Sequence, residues 1–255
     1  MNFPIQFQLG NFSLSAHLLF ETLAYTVGFR YFLYLRKKQK DHINETNRIW
    51  IFIGACTGAF LFSRLVGAFE TTAGLSSASH PLLYFFASKT LVGGLLGGLI
   101  GVETIKYFIG EKSSSGDLFT FPLILAIIIG RIGCFCNGIY ESTFGNETNW
   151  ILGMDLGDGR LRHPVTLYEI VFLIILWGIL KSAENKNVFV NGFKFKGFMI
   201  GYLLFRFVLE FLKPHETFSA GLSIIQICCL SGLFYYRKTI FKLIFKPRHL
   251  IMYGQ

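Results

Sequence analysis

The apolar positions do not alternate with a period of two, nor do they keep to one face of short amphipathic helices. They fall in runs of about 17 to 22 residues, long enough to cross a hydrocarbon core of roughly 30 Å as helices. Seven such spans are predicted, at about 14–35, 48–69, 82–109, 119–136, 165–181, 197–213 and 219–236. Residues 1–12 read as a short interfacial segment. The one long connection, about 137–164, carries Gly145, Gly153, Gly157, Gly159 and Pro164 and reads as a small extramembrane cap. The fold expected is an all-α polytopic membrane protein, with residues 1–255 forming one domain.

Composition agrees with this pattern. Hydrophobic residues make up 52% of the 255, and only 15% are charged, against roughly 25% in soluble domains. The net charge of +9 does not point to nucleic acid, because the basic residues have no domain of their own. They sit mostly in short loops on one side. Arg36, Lys37, Lys38, Lys40 and Arg48 come first, then Lys106 and Lys112, then Lys181, Lys186, Lys194 and Lys196, and last Arg237, Lys238, Lys242, Lys246 and Arg248. The opposite loops hold Arg160, Arg162 and Lys213. The positive-inside rule then predicts a cytoplasmic C-terminus, an outside N-terminus and an outside 137–164 loop. The basic tail is expected to meet anionic lipid of the inner leaflet. No charged n-region or small-residue cleavage site opens the chain, so the first apolar run is read as a span. The five cysteines have neither zinc spacing nor a disulfide framework.

Charge inside the spans is the informative chemistry, since ionisable groups in lipid are costly and mark function. Glu21, Lys89 and Glu169 come early in inward-running spans. Arg64, Arg131, Arg206 and Glu210 come late in outward-running ones. All seven therefore share a depth in the outer half of the bilayer, with the early residues about 5 to 10 Å from its edge. Tyr202, Arg206 and Glu210 repeat every four residues and share a face, as do His17, Glu21 and Tyr25. Arginines beside carboxylates make a phosphate clamp, because guanidinium binds phosphate bidentately. A buried salt-bridge network that only fixes helix packing is the competing reading. Gly54 and Gly58, with the ladder Gly93, Gly97 and Gly101, are spaced for close helix packing.

Three stretches resemble the bacterial prolipoprotein diacylglyceryl transferases. Gly130-Arg131-Ile132-Gly133-Cys134-Phe135-Cys136-Asn137-Gly138, running on to Gly145, is similar to the family signature G-R-x-G-N-F-x-N-G. Arg162-His163-Pro164-Val165-Thr166-Leu167-Tyr168-Glu169 is similar to R-x-P-S-Q-L-Y-E. Gly201-Tyr202, Arg206-Phe207 and Glu210-Phe211 are similar to G-Y-x-x-x-R-F-x-x-E-F. The resemblance implies transfer of a diacylglyceryl group from phosphatidylglycerol to the lipobox cysteine in the signal peptide of a prolipoprotein. The reaction would take place at the outer face of the bacterial inner membrane, with no metal and no cofactor. It implies that Arg131 and Arg206 bind the phosphate and that Glu169 and Glu210 orient them. Asn137 would contact the headgroup. Gly133, Gly145, Arg162, His163, Tyr168, Tyr202 and Arg64 would complete the substrate site.

The chain departs from the family at positions that bear on catalysis. The family's His before the Gly-Gly of the third span falls on Val92, and its first-span Tyr falls on Glu21. The signature Asn becomes Cys134, the Gln of the second motif becomes Thr166, and Glu141 only approximates the acidic position. Lys89 and Glu21 are expected to act as a substitute base or as an ion pair. Two alternatives stand beside the transferase reading: the same fold acting on another acceptor, and a lipid-binding or transport protein without catalysis.

Overall fold

The structure is a computed structural model that describes residues 3–10, 12–39, 41–70, 79–185, 192–214, 216–217 and 221–245. Lys40, Lys186, Lys246 and Arg248 of the charge asymmetry, and the first residues of the expected last span (219–220), lie outside the described residues. The elements are β1 (Gln6–Leu9), β2 (Phe12–Ser15), α1 (Ala16–Gln39), α2 (Glu45–Ala68), α3 (Pro81–Ala87), α4 (Leu91–Ile109) and α5 (Asp117–Asn137). They continue with β3 (Met154–Asp155), β4 (Leu161–Arg162), α6 (Val165–Asn185), α7 (Phe193–Leu209), α8 (Ile224–Tyr235) and α9 (Arg237–Phe245). Single 3-10 turns follow α5, at Gly138–Tyr140, and α7, at Glu210–Leu212.

The chain is mostly helical, and four of its helices are long and apolar enough to cross a membrane: α2, α4, α5 and α6. Of the other expected spans, α7 has 17 residues and α8 has 12. Helix α1 has 24 residues, but Glu21 and Arg30 interrupt its apolar run. The segment expected to be interfacial is, with the residues that follow it, an antiparallel hairpin pairing Gln6 with Ser15 and Leu9 with Phe12.

One element differs from expectation. The predicted span 82–109 is two helices, broken at Ser88–Thr90. The cause is a tertiary contact from α2. Ser63 Oγ donates to the Thr90 carbonyl (2.8 Å) and accepts from the Thr90 amide (3.1 Å). Thr90 then caps α4, its hydroxyl accepting from the Gly93 amide (3.3 Å). A threonine that satisfies the first turn of the next helix does not continue the previous one.

Two helix pairs frame the molecule. Helix α2 lies on α4 through glycine: a Cβ on Gly58 would overlap the Gly97 carbonyl, and one on Gly101 would overlap the Gly54 carbonyl. Backbones this close gain dispersion contacts that larger residues would forbid. Helix α1 lies on α5, with Gly28 against Ala126 and Gly133 against Phe20. Helices α6, α7 and α8 close the far side around a core of Phe121, Ile124, Leu173, Met199, Leu203 and Ile225. Asp117, at the start of α5, accepts from the backbone amides of Gly192 (2.6 Å) and Phe195 (2.9 Å) and anchors α7 at that end.

Residues 138–164 fold back over the other end. Ile139 and Leu156 share a backbone hydrogen bond (3.0 Å), and so do Asn146 and Leu212 (2.8 Å). Arg162 ties the segment together. Its Nε donates to Asp158 (2.8 Å), its Nη1 donates to the Gly145 carbonyl (3.4 Å), and its guanidinium covers the Phe144 ring.

Candidate active site

A cavity of about 1150 Å³ separates the α1/α5 pair from the α2/α4 pair. Over much of its length its walls are apolar: Gly28, Phe32, Phe52, Ala55, Ala59, Leu123 and Ala126. At the end covered by residues 138–164 the walls turn polar, with His17, Glu21, Lys89, Arg131, Cys134, Glu141, Thr143, Arg206 and Lys213. A charged mouth above an apolar channel suits an anionic lipid, headgroup at one end and acyl chains along the other.

Helices α5, α6 and α7 build the arginine centre. Arg131 Nε stands 2.9 Å from Glu169 Oε2, and the Tyr202 hydroxyl donates to Glu169 Oε1 (2.7 Å). Arg206 Nη2 stands 3.0 Å from Glu210 Oε2, one turn on. Glu169, Tyr202, Arg206 and Glu210 are buried, Glu210 completely. Each arginine therefore has one carboxylate behind it and the cavity before it. Arg131 Nη1 also approaches the Cys134 sulfur (3.8 Å). The expected face of Tyr202, Arg206 and Glu210 divides in its bonding. Arg206 and Glu210 pair along the helix, whereas Tyr202 reaches across to α6.

A second cluster faces them. Lys89 Nζ stands 2.7 Å from Glu21 Oε1, so of the two arrangements expected for this pair, the ion pair is the one observed. The α3–α4 break frees Lys89 to turn toward α1. His17 Nε2 lies 3.6 Å from Glu21 and 3.7 Å from Glu141, and Asn137 Nδ2 donates to Glu141 (3.2 Å). Val92 is buried in the apolar core. Arg64 also lines the cavity, over the Phe60 ring, and donates to the Ser88 carbonyl (3.2 Å).

The sequence-predicted residues thus divide. Arg131, Arg206, Lys89, Glu21 and Arg64 meet at the cavity, and Glu169, Tyr202 and Glu210 stand directly behind the arginines. Asn137 acts on Glu141. Gly133 and Gly145 are close-approach positions: a Cβ on Gly133 would lie 2.9 Å from the Phe20 Cβ, and one on Gly145 would overlap the His163 carbonyl. Arg162, His163 and Tyr168 are not among the residues lining the cavity. His163 Nδ1 and the Tyr168 hydroxyl are 3.3 Å apart, packed with Trp150. Sequence reasoning gave no site role to several polar wall residues, among them His17, Glu70, Glu141, Thr143 and Lys213. The spacing of four from His17 to Glu21, and from Asn137 to Glu141, was the available signal for two of them. Glu70 and Lys213, 3.9 Å apart, lie 143 positions apart in sequence and offered none.

The family model for prolipoprotein diacylglyceryl transferase matches residues 4–237. The chain belongs to that family. Among curated members named phosphatidylglycerol–prolipoprotein diacylglyceryl transferase, the Pseudoalteromonas atlantica protein is 31% identical over 254 residues, covering 88% of this chain and 83% of the relative. The Campylobacter hominis protein is 30% identical over 247 residues, covering 88% and 85%. The Polynucleobacter necessarius protein is 29% identical over 183 residues, covering 64% of this chain and 66% of the relative. The match to the Bordetella parapertussis protein spans 60% of that relative's length. In this family member the three motifs lie at one end of the bundle, in α5, at the start of α6 and at the end of α7.

Proposed function

We propose that this protein transfers a diacylglyceryl group from phosphatidylglycerol to the lipobox cysteine thiol of prolipoproteins, releasing glycerol phosphate. The observation that carries this reading is the pair of arginines, Arg206 buried and Arg131 largely so, each backed by a carboxylate and open to one amphipathic cavity. The names of the relatives supply the substrates. The chain crosses the bacterial inner membrane seven times, counting α1, α7 and α8 with the four long apolar helices. The charge asymmetry of the loops sets the N-terminus outside and the C-terminus in the cytoplasm. The 137–164 cap and the arginine centre then face outward, where signal peptides emerge.

The roles follow from charge. Arg131 and Arg206 hold the phosphodiester and neutralise the second negative charge that develops as glycerol phosphate leaves. Glu169 and Glu210 aim them, and Tyr202 holds Glu169. Donors placed before the reaction where charge will develop stabilise the transition state more than the ground state. The attacking sulfur must be a thiolate, so a proton acceptor belongs near the cavity mouth. Lys89 and Glu21 keep that mouth charged, and Arg64 adds a further cation to the wall. Arg162, His163 and Tyr168 shape the cap through which the peptide approaches.

The test is a transfer assay with purified protein, labelled phosphatidylglycerol and a synthetic lipobox peptide. Diacylglyceryl thioether and glycerol phosphate should appear together. Specific phosphatidylglycerol binding with no thioether would overturn the choice of acceptor and favour another reaction on the same lipid site.

A further inference from the structure

One carboxylate on the cavity wall takes no part in holding the arginines. Glu70 follows the last turn of α2, its amide donating to the Gly67 carbonyl (3.1 Å), and Gly67 packs against the Ser88–Lys89 backbone at the α3–α4 break. Lys213 leaves the 3-10 turn after α7, its amide donating to the Glu210 carbonyl (3.1 Å). The adjacent Leu212 carbonyl accepts from the Asn146 amide of the 138–164 segment (2.8 Å). Two helix ends thus bring Lys213 Nζ to 3.9 Å from Glu70 Oε1, and both residues line the cavity. The Lys213 side chain is 4% exposed and that of Glu70 26%. At that separation the two charges balance without a hydrogen bond. Among the described residues no donor hydrogen-bonds to the Glu70 carboxylate, which faces the cavity with its lone pairs available.

The position fits one part of the lipid. Glu70 and Lys213 come after Arg64 and Arg206 in α2 and α7, toward the end covered by residues 138–164, and the charges of Arg206 and Glu210 reach Glu70. With acyl chains along the apolar walls and the phosphodiester at Arg131 and Arg206, the head alcohol extends past the phosphate toward these helix ends. An ionised carboxylate accepts hydrogen bonds and cannot donate them. Hydroxyl and ammonium heads both bring hydrogen. Lys213 already supplies the counter-charge, and a second ammonium would meet its repulsion where water screens little. Neutral hydroxyls meet none, and the two hydroxyls of a glycerol head match the two carboxylate oxygens.

We infer that Glu70, charge-balanced by Lys213, reads the headgroup: its carboxylate accepts hydrogen bonds from the hydroxyls of an uncharged polyol esterified to the phosphate. This rests on the transferase reading above and concerns the alcohol half of its leaving group. The hydroxyls lie outside the bonds that form and break, so the contact is the same before and during transfer. Such uniform binding lowers KM and leaves kcat unchanged.

The test gives purified protein a cysteine lipobox peptide and one of two lipids in mixed micelles. Phosphatidylglycerol carries the hydroxyls. Phosphatidylmethanol has the same phosphodiester and acyl chains, with a head that cannot donate. Both yield the same diacylglyceryl thioether, so one readout serves. Wild type should prefer phosphatidylglycerol by about 10- to 150-fold in kcat/KM, the worth of a hydrogen bond to a charged acceptor, with the difference in KM. Glu70→Met removes both acceptor oxygens and should bring the two lipids within a few-fold. Glu70→Gln keeps one oxygen and should fall between. An equal loss with both lipids, or a loss confined to kcat, would mean that Glu70 only shapes the site and would overturn the proposal.

The wild-type comparison needs no variant. Equal kcat/KM for the two lipids would overturn the headgroup assignment and leave the transferase reading standing. Faster transfer from phosphatidylethanolamine than from phosphatidylglycerol would overturn the polyol head in favour of an ammonium one. No thioether from any of these lipids would overturn the transferase reading, and the role of Glu70 with it.

Discussion

Glu169 is the sharpest probe of how the arginine centre is held. It is 2% exposed, stands 2.9 Å from Arg131 Nε and accepts a 2.7 Å hydrogen bond from Tyr202. Glu169→Gln keeps the shape and an oxygen for Tyr202 but removes the charge opposite Arg131. Breaking one partner of a buried ion pair costs about 3 to 5 kcal/mol, because the other charge stays buried without compensation. The surviving Tyr202 contact favours the lower end of that range. Activity should fall separately. If Arg131 is no longer aimed, its charge-assisted contact to the phosphate, about 1.5 to 3 kcal/mol, is lost. At 1.36 kcal/mol per factor of ten this is about 10- to 150-fold in kcat/KM. Tyr202→Phe, which leaves Glu169 and Arg131 paired, should lose less on both counts. The assays are thermal unfolding in phosphatidylglycerol micelles and initial rates of thioether formation. A Glu169→Gln protein with wild-type melting and wild-type rate would refute the claim that this carboxylate positions Arg131.

Further tests bear on the remaining parts. Arg206→Ala should abolish transfer while leaving membrane insertion intact; a fully active variant would sink the phosphate clamp. Gly58→Leu should abolish folding in detergent, since even its Cβ would overlap the Gly97 carbonyl and lie 3.1 Å from Gly101 Cα. Gly94→Ala should be tolerated, because the nearest atom to its Cβ would be 3.8 Å away, and melting curves of the two variants decide the point. In the 138–164 segment, hydrogen bonding from Arg162 lowers the Asp158 carboxyl below its ordinary value. A carboxyl depressed in the folded state stabilises it above the unfolded value of about 3.9, and that contribution disappears as pH falls through the folded value. Amide protection factors in residues 154–162, taken relative to the intrinsic exchange rate at each pH, should therefore fall below about pH 4 in wild type. In Asp158→Asn they should already be low at neutral pH, and identical protection in both proteins at neutral pH would refute the link.

The membrane character of the chain and the place of most helices were legible in the sequence, because hydropathy and helical period are properties of neighbouring residues. The pairing of the arginines with carboxylates was also legible. Arg206 and Glu210 sit one turn apart on α7, so their pairing follows from local geometry, and Arg131 and Glu169 fall in recognisable motifs. What only the tertiary structure decided depends on contacts between distant segments. Ser63 of α2 takes both hydrogen-bonding groups of the Thr90 backbone, breaks the expected third span and turns Lys89 toward Glu21. Tyr202 shares a helical face with Arg206 yet bonds to Glu169 on α6, because packing, not spacing, sets which helix it faces. His17 lies more than a hundred residues from Glu141, and only the docking of α1 on α5 brings the two together. Local sequence constrains which groups share a face. Which faces meet, and what cavity they enclose, is a property of the assembled helices.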